Sequence, residues 1–278
     1  MKAIQIAYDQ DFEKKCKIAS EVGFKHISVN LHGTYNPCDD TYDRAPEHIM
    51  GILDKYKLNP AQTHLFFYNT LTSAHKTDDA LEHRIMREVE VSGKIGAPWC
   101  VWHTRYYKSG DDFATGEYSE EKTFYYSQKN VTKYVEQAQK FGTGIALENL
   151  FRDRFYGGYS TLAQLCDSFK ADNVGICWDT GHAHLVDYDQ GEAIRFMGER
   201  IKCTHIHNNF KDRDSHLPPD EGTIDWDNVM KGFKDIGYSG PLTLETHCLY
   251  PQDEQFMRDF ARYNLNCLEF LQRVKERV

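Results

Sequence analysis

No stretch of this chain is apolar for long enough to cross a bilayer, and its opening residues, MKAIQIAYDQDF, lack the cationic segment and apolar run of a secretory leader. A soluble cytoplasmic protein is therefore expected. Positive charge is also scarce: 33 Lys and Arg stand against 42 Asp and Glu, for a net charge of −9. Binding to a phosphate backbone depends on cationic side chains, so nucleic acid is not the expected partner unless a local basic patch exists. The eight cysteines never fall into a Cys-x-x-Cys spacing. That argues against zinc knuckles and a disulfide framework, and leaves small buried hydrophobes. Low-complexity tracts and flexible linkers are missing as well, so nothing divides the chain.

What is present is an alternation. Short apolar runs of strand type occupy 3–8, 26–31, 60–66, 98–103, 144–149, 174–179, 202–207 and 241–247. Each is followed by a helical pattern, at 11–22, 45–57, 78–95, 120–141, 160–169, 189–199, 225–236 and 253–274. Eight βα units are the number that closes a parallel barrel, and 278 residues with 40% hydrophobic content suit one. The expectation is a single (β/α)8 TIM barrel spanning 1–278. A doubly wound open sheet is the rival, but the first βα turn, AYDQDF, carries no Gly-x-Gly fingerprint.

Catalytic groups of a barrel sit at the carboxyl ends of its strands. His64, His103, Glu148, Asp179, His205 and Glu245 end strands three to eight in order. Six metal-competent side chains at one height are hard to explain as separate core residues, because buried charges need partners or a cation. Residues two apart share a strand face, so His207 follows His205 and His247 follows Glu245. Lying nearer the mouth, they are better placed to touch substrate or to support the ligands from behind than to share one cation. In GICWDTGHAHL, Gly181 is expected to let the chain turn sharply and His182 to fold back over the mouth. His184 reads equally as a pocket residue or as a hydrogen-bonded structural one. A long polar loop after strand seven carries Asp214 and His216, and loops of that length are usually functional. Tyr106, Tyr107, Phe113 and Tyr118, after strand four, could roof a pocket.

The pattern resembles the xylose isomerase-like TIM-barrel superfamily, which holds sugar epimerases and isomerases, inosose enzymes and endonuclease IV. The resemblance runs through "ALENL", "CWDTGH", "THIHNN" and "LTLETH" and covers essentially the whole chain. It implies one divalent cation held by Glu148, Asp179, His205 and Glu245. Three carboxylates and one imidazole suit Mn²⁺, Mg²⁺ or Co²⁺, with Zn²⁺ left open. Endonuclease IV adds ligands for a zinc cluster, and their counterparts here are His64, His103, His182, Asp214 and His216. Two departures stand out. The usual His-x-x-Asp is His205-Ile206-His207-Asn208 here, and Lys211 stands where ketose epimerases carry an arginine. The second argues against a ketohexose and leaves Lys211, with His207 and His247, as candidates for substrate contact.

The resemblance implies a metal-dependent sugar or sugar phosphate isomerase or epimerase acting on a small carbohydrate. Glu148 and Glu245, reaching from separated strands, could face opposite sides of the reacting carbon, one as base and the other as reprotonating acid around an enediolate. The alternatives are an endonuclease IV-like zinc phosphodiesterase, a dehydratase or lyase of an inosose or keto-glycoside, and a barrel that binds without turnover. Homo-oligomerisation is left open.

Overall fold

The computed structural model describes residues 1–31, 41–67, 79–104, 120–151, 158–248 and 252–278. Its strands are β1 (Lys2–Ala7), β2 (His26–Asn30), β3 (Asn59–His64), β4 (Trp99–His103), β5 (Gly144–Glu148), β6 (Val174–Asp179), β7 (Ile201–His205) and β8 (Leu242–Leu244). Between and after them lie α1 (Phe12–Val22), α2 (Thr41–Tyr56), α3 (Asp79–Lys94), α4 (Glu120–Phe141), α5 (Tyr159–Ser168), α6 (Thr180–Leu185), α7 (Gln190–Met197), α8 (Trp226–Asp235) and α9 (Glu254–Arg277). Neighbouring strands pair in parallel from β7 through β1 to β8. The last seam is sewn past the end of β7: the Ile206 amide donates to the Thr243 carbonyl at 2.7 Å, and the Glu245 amide to the Ile206 carbonyl at 3.2 Å. The fold is thus a (β/α)8 barrel, as the alternation implies.

Local chemistry explains where the elements start and stop. Three C-terminal helices are opened by aspartates: Asp189, Asp225 and Asp253 accept from the third amide onward in α7, α8 and α9. Gly23, at φ 118°, closes α1 in a left-handed conformation. β8 covers only three residues of the expected 241–247, because the chain beyond takes another partner, the His247 amide donating to the His216 carbonyl at 3.4 Å. α6 was not expected from the sequence pattern, since six residues are too few to show a period.

The main core lies between sheet and helices, around Trp102, Trp178, Tyr134, Phe12, Phe24 and Phe233. A second, small cluster of Val101, Ala146, Cys177 and Cys203 fills the barrel itself. The cysteines among the described residues are free, and all but Cys248 are buried. Among the described residues no helix is long and apolar enough to cross a membrane.

Candidate active site

Strand alternation builds the site in two layers. Two residues before each candidate lies a smaller or neutral side chain: Val101 under His103, Ala146 under Glu148, Cys177 under Asp179, Cys203 under His205 and Thr243 under Glu245. The lower layer is a fully buried, mostly apolar floor, and the upper one gathers the ionisable groups over it. His205 is at the centre. Its Nδ1 lies 2.9 Å from Glu148 Oε1, 3.1 Å from Glu245 Oε2 and 3.7 Å from Asp179 Oδ2. One ring nitrogen carries at most one proton, so it cannot satisfy three carboxylates. Glu148, Asp179 and Glu245 are 1%, 0% and 9% exposed, which leaves little water to share the charge.

A divalent cation fits this set. Donor atoms of Glu148, Asp179, His205 and Glu245 all lie within 4.8 Å of one another, and Glu148 Oε2 is buried without a well-aligned hydrogen bond. Without a cation, protonation has to hold the cluster together. Burial disfavours the His205 imidazolium, but the carboxylates of Glu245 and Glu148 outweigh it and hold the ring well above its ordinary pKa. Burial likewise pushes Glu148 and Glu245 up, but His205 and His103 more than reverse it for Glu148, and His205 and His216 do so for Glu245.

A ring of histidines surrounds this centre with their tautomers fixed by the backbone. Nδ1 of His64 lies 2.9 Å from the Leu65 carbonyl, that of His182 2.9 Å from the Asn149 carbonyl, and that of His216 2.8 Å from the Glu245 carbonyl. A carbonyl only accepts, so each Nδ1 donates and each neutral ring turns an Nε2 lone pair inward. For His64 that nitrogen faces Glu148 Oε2 at 3.4 Å, beside His103 Nε2 at 3.1 Å. His182 and His216 both aim Nε2 at Asp214 Oδ2, at 3.3 and 3.1 Å. Two lone pairs against a carboxylate repel, so protons or a cation must intervene. Burial opposes protonation of His182, yet Asp179, Asp214 and Glu148 raise it to about 10. His216, also opposed by burial, is raised to about 9 by Asp214 and Glu245. Asp214 is driven far below the carboxylate range against its burial by the same two rings. His216 reaches this place through a left-handed backbone, φ 47°.

Asp179 divides its oxygens between structure and site. Oδ1 accepts from the His182 amide at 2.6 Å and caps α6, leaving Oδ2 to His207 Nε2 at 3.0 Å. The glycine next to Thr180 has a different reason from the expected turn. Gly181 is helical, not left-handed, and a Cβ there would lie 2.0 Å from His207 Cε1 and 2.3 Å from its Nδ1. His207 has nowhere to retreat, because its amide bonds Thr180 Oγ1 and its ring stacks on His216 at 4.2 Å. Gly181→Ala is expected to cost at least about 1–3 kcal/mol, as overpacking does. A lowered urea midpoint at unchanged slope checks it, and a wild-type midpoint would contradict it.

Residues 16–263 match the family model described as xylose isomerase-like TIM barrel. The chain belongs to that family. Among its relatives, a D-psicose 3-epimerase of Ruminiclostridium cellulolyticum is 25% identical over 215 residues, 68% of either chain. An inosose isomerase of Bacillus licheniformis is 27% identical over 124 residues, 41% of this chain and 44% of that one. A solved 3-keto-D-glucoside 4-epimerase of E. coli superposes with a TM-score of 0.74 at 15% identity, over 96% of this chain and 100% of that one.

Within this xylose isomerase-like barrel, the amide at Asn208 has a structural explanation. Its Nδ2 donates to the Pro219 carbonyl at 2.7 Å, while its Oδ1 accepts from the amides of Asn209 and Ile224 at 2.9 and 3.2 Å. An ionised carboxylate could not donate. Together with the Asn208–Leu217 backbone pair, this folds the long loop back so that Asp214 and His216 overhang the centre. His207 is fully buried against Asp179, closer to the candidate ligands than to an open mouth. His247 stacks on His216 at 4.3 Å. Lys211 is not brought to the cluster: it is half exposed and its ammonium pairs with Asp187. His184 bonds Thr223 Oγ1 at 2.8 Å and anchors the same loop. Tyr106, Tyr107, Phe113 and Tyr118 lie outside the described residues.

Sequence reading missed several neighbours. Gln5 Nε2 donates to Glu245 Oε1 at 3.0 Å, and its Oε1 accepts from Asn30 at 3.3 Å. Its signal was present, a lone amide at an inward position of the apolar run AIQIA. Asn149 clasps the backbone of Asp179 through both amide atoms, at 2.7 and 2.9 Å. Phe67 stacks on His103 at 3.9 Å and Phe151 lies 5.0 Å from His182, contacts that no spacing rule reveals.

Proposed function

We propose that this chain is a divalent-cation-dependent isomerase or epimerase of a sugar or sugar phosphate, working by proton removal beside a carbonyl. The observation that carries the reading is the set of three buried carboxylates around His205 Nδ1. The family, with a D-psicose 3-epimerase and an inosose isomerase among its members, supports it. Glu148, Asp179, His205 and Glu245 would hold the ion, which would supply polarisation of a carbonyl and an adjacent hydroxyl and so stabilise an enediolate. Mn²⁺, Mg²⁺ or Co²⁺ suits these donors, and the imidazoles nearby keep Zn²⁺ in contention.

The protein groups divide the proton work. Glu245 is the more exposed carboxylate, and Gln5 holds its Oε1, which leaves Oε2 on the His205 side. It is the group to take the proton. Glu148, enclosed by His64, His103 and His205, is the group to return one on the other side. The mostly apolar floor beneath, of Val101, Ala146, Cys177 and Cys203, offers no group to protonate the carbanion from below.

A second reading, zinc-dependent phosphodiester cleavage, is favoured by one feature: His182 and His216 converging on Asp214 beside His207, a further set of ligands. The net charge of −9 opposes it. Metal-loaded protein is to be incubated with ketoses, inososes and 3-keto-glucosides, and the products followed by NMR. Inverted or isomerised product is expected. An unsaturated product points instead to elimination, and inertness toward every sugar to a binding barrel. Abasic duplex is expected to bind no tighter than about micromolar at 0.15 M salt. Tight binding with strand cleavage would promote the second reading.

A further inference from the structure

An ion pair buried at both ends lies outside the centre, on α3. Arg84 Nε stands 2.8 Å from Glu88 Oε1, one turn along the helix, with Glu88 wholly enclosed. Such a pair adds little net stability, because taking both charges out of water costs about as much as their attraction returns. What it supplies is geometry. Glu88 Oε2 accepts from the Phe66 amide at 2.5 Å, Arg84 Nη2 donates to the Leu31 carbonyl at 3.3 Å, and the guanidinium lies 3.9 Å from the Phe66 ring centre. The pair thus grips the chain just past the ends of β2 and β3. On either side of the gripped Phe66 stand the groups that meet two histidines of the centre. The Leu65 carbonyl holds His64 Nδ1 at 2.9 Å, and the Phe67 ring stacks on His103 at 3.9 Å. His103 depends on its packing more than its neighbours do, since its Nδ1 is buried without the backbone acceptor that fixes His64, His182 and His216. Both rings turn Nε2 to Glu148 Oε2, at 3.4 Å from His64 and 3.1 Å from His103.

We propose that Glu88, with Arg84, is a positioning residue: it sets His64 and His103, and through them the direction from which Glu148 returns a proton to carbon. The proposal rests on the isomerase reading of the centre. In that reaction Glu245 takes the proton as the C–H electron pair moves toward the carbonyl oxygen, and a new C–H bond forms with a proton from Glu148 as the carbonyl is restored. Exchange with solvent then resets both carboxyl groups. When Glu148 is misaimed, Glu245 hands back a proton on its own side, and the original sugar is regenerated carrying solvent hydrogen.

The test compares wild type with Glu88→Ala, both loaded with Mg²⁺, by two readouts. In deuterium oxide with D-psicose, and separately with an inosose, the ratio of label in recovered substrate to product formed should rise at least about tenfold, part of what a positioned acid contributes. A merely structural loss would lower exchange and product together. The ring-nitrogen NMR shifts of His64 and His103 should move in the variant, while those of His182 and His216, held by the Asn149 and Glu245 carbonyls, should stay. Phe67→Ala, at a partly buried position, should raise the ratio and move His103 in the same way, and it carries the test if Glu88→Ala fails to fold. An unchanged ratio in a wild type that labels its substrate overturns the proposal, and so do unmoved His64 and His103 shifts. The two readings fail separately. A wild type that labels neither sugar removes the isomerase reading, and the positioning of the two rings then stands or falls on their shifts alone.

Discussion

Glu245→Gln is expected to lower kcat by about 10²–10⁴-fold, the usual worth of a positioned acid or base, with a smaller effect on KM. The hydrogen-bond chain at β1 sharpens this expectation. Asn30 donates to Gln5 Oε1, so Gln5 turns its N–H toward Glu245 Oε1. In the variant the amide oxygen is the atom that satisfies Gln5, and the amide nitrogen is left facing His205. A nitrogen bearing two protons is a poor ligand, so cation affinity should fall as well. Turnover therefore has to be measured at saturating cation with loading verified by elemental analysis. Under those conditions, wild-type turnover would reduce Glu245 to a ligand.

Removing the proposed cation should be more damaging still. Chelation leaves Glu148, Asp179 and Glu245 buried around one imidazole. An ion held at a thousand times its Kd contributes about 4 kcal/mol, so its loss should lower Tm by roughly 10 °C together with loss of all turnover. The stripped protein should also have its own pH dependence. His182 and His216 are raised from 6.5 to about 10 and about 9. A raised folded pKa contributes stability that is complete below the unfolded value and lost as pH rises through the folded one. The stripped protein should accordingly lose stability between pH 7 and 10. Differential scanning calorimetry with and without chelator checks both statements, and identical Tm values would contradict the first.

Much of this was legible because a parallel barrel places strand ends at one height. Glu148, Asp179 and His205 needed only the alternation and the strand boundaries to be grouped. What could not be read depends on the third dimension. Gly181 looks like a turn residue in sequence, yet the constraint is the ring of His207, 26 positions away. Asn208 looks like a lost carboxylate, whereas the loop requires a side chain that both donates and accepts. The i+2 rule sets His207 on the same side as His205 but cannot say how far it reaches toward the mouth; with the strand ended at His205, the ring lies inward against Asp179, behind a candidate ligand. Gln5 was overlooked because an amide carries no charge to attract attention, although its neighbours on the strand are apolar.

The central claim is that the carboxylates around His205 move a proton on carbon. Cation-loaded wild-type protein, incubated in deuterium oxide with a ketose, inosose or keto-glycoside it is shown to bind, should wash deuterium into the carbon beside the carbonyl, as NMR or mass spectrometry would record. Binding and turnover with every carbon-bound hydrogen retained would contradict the account.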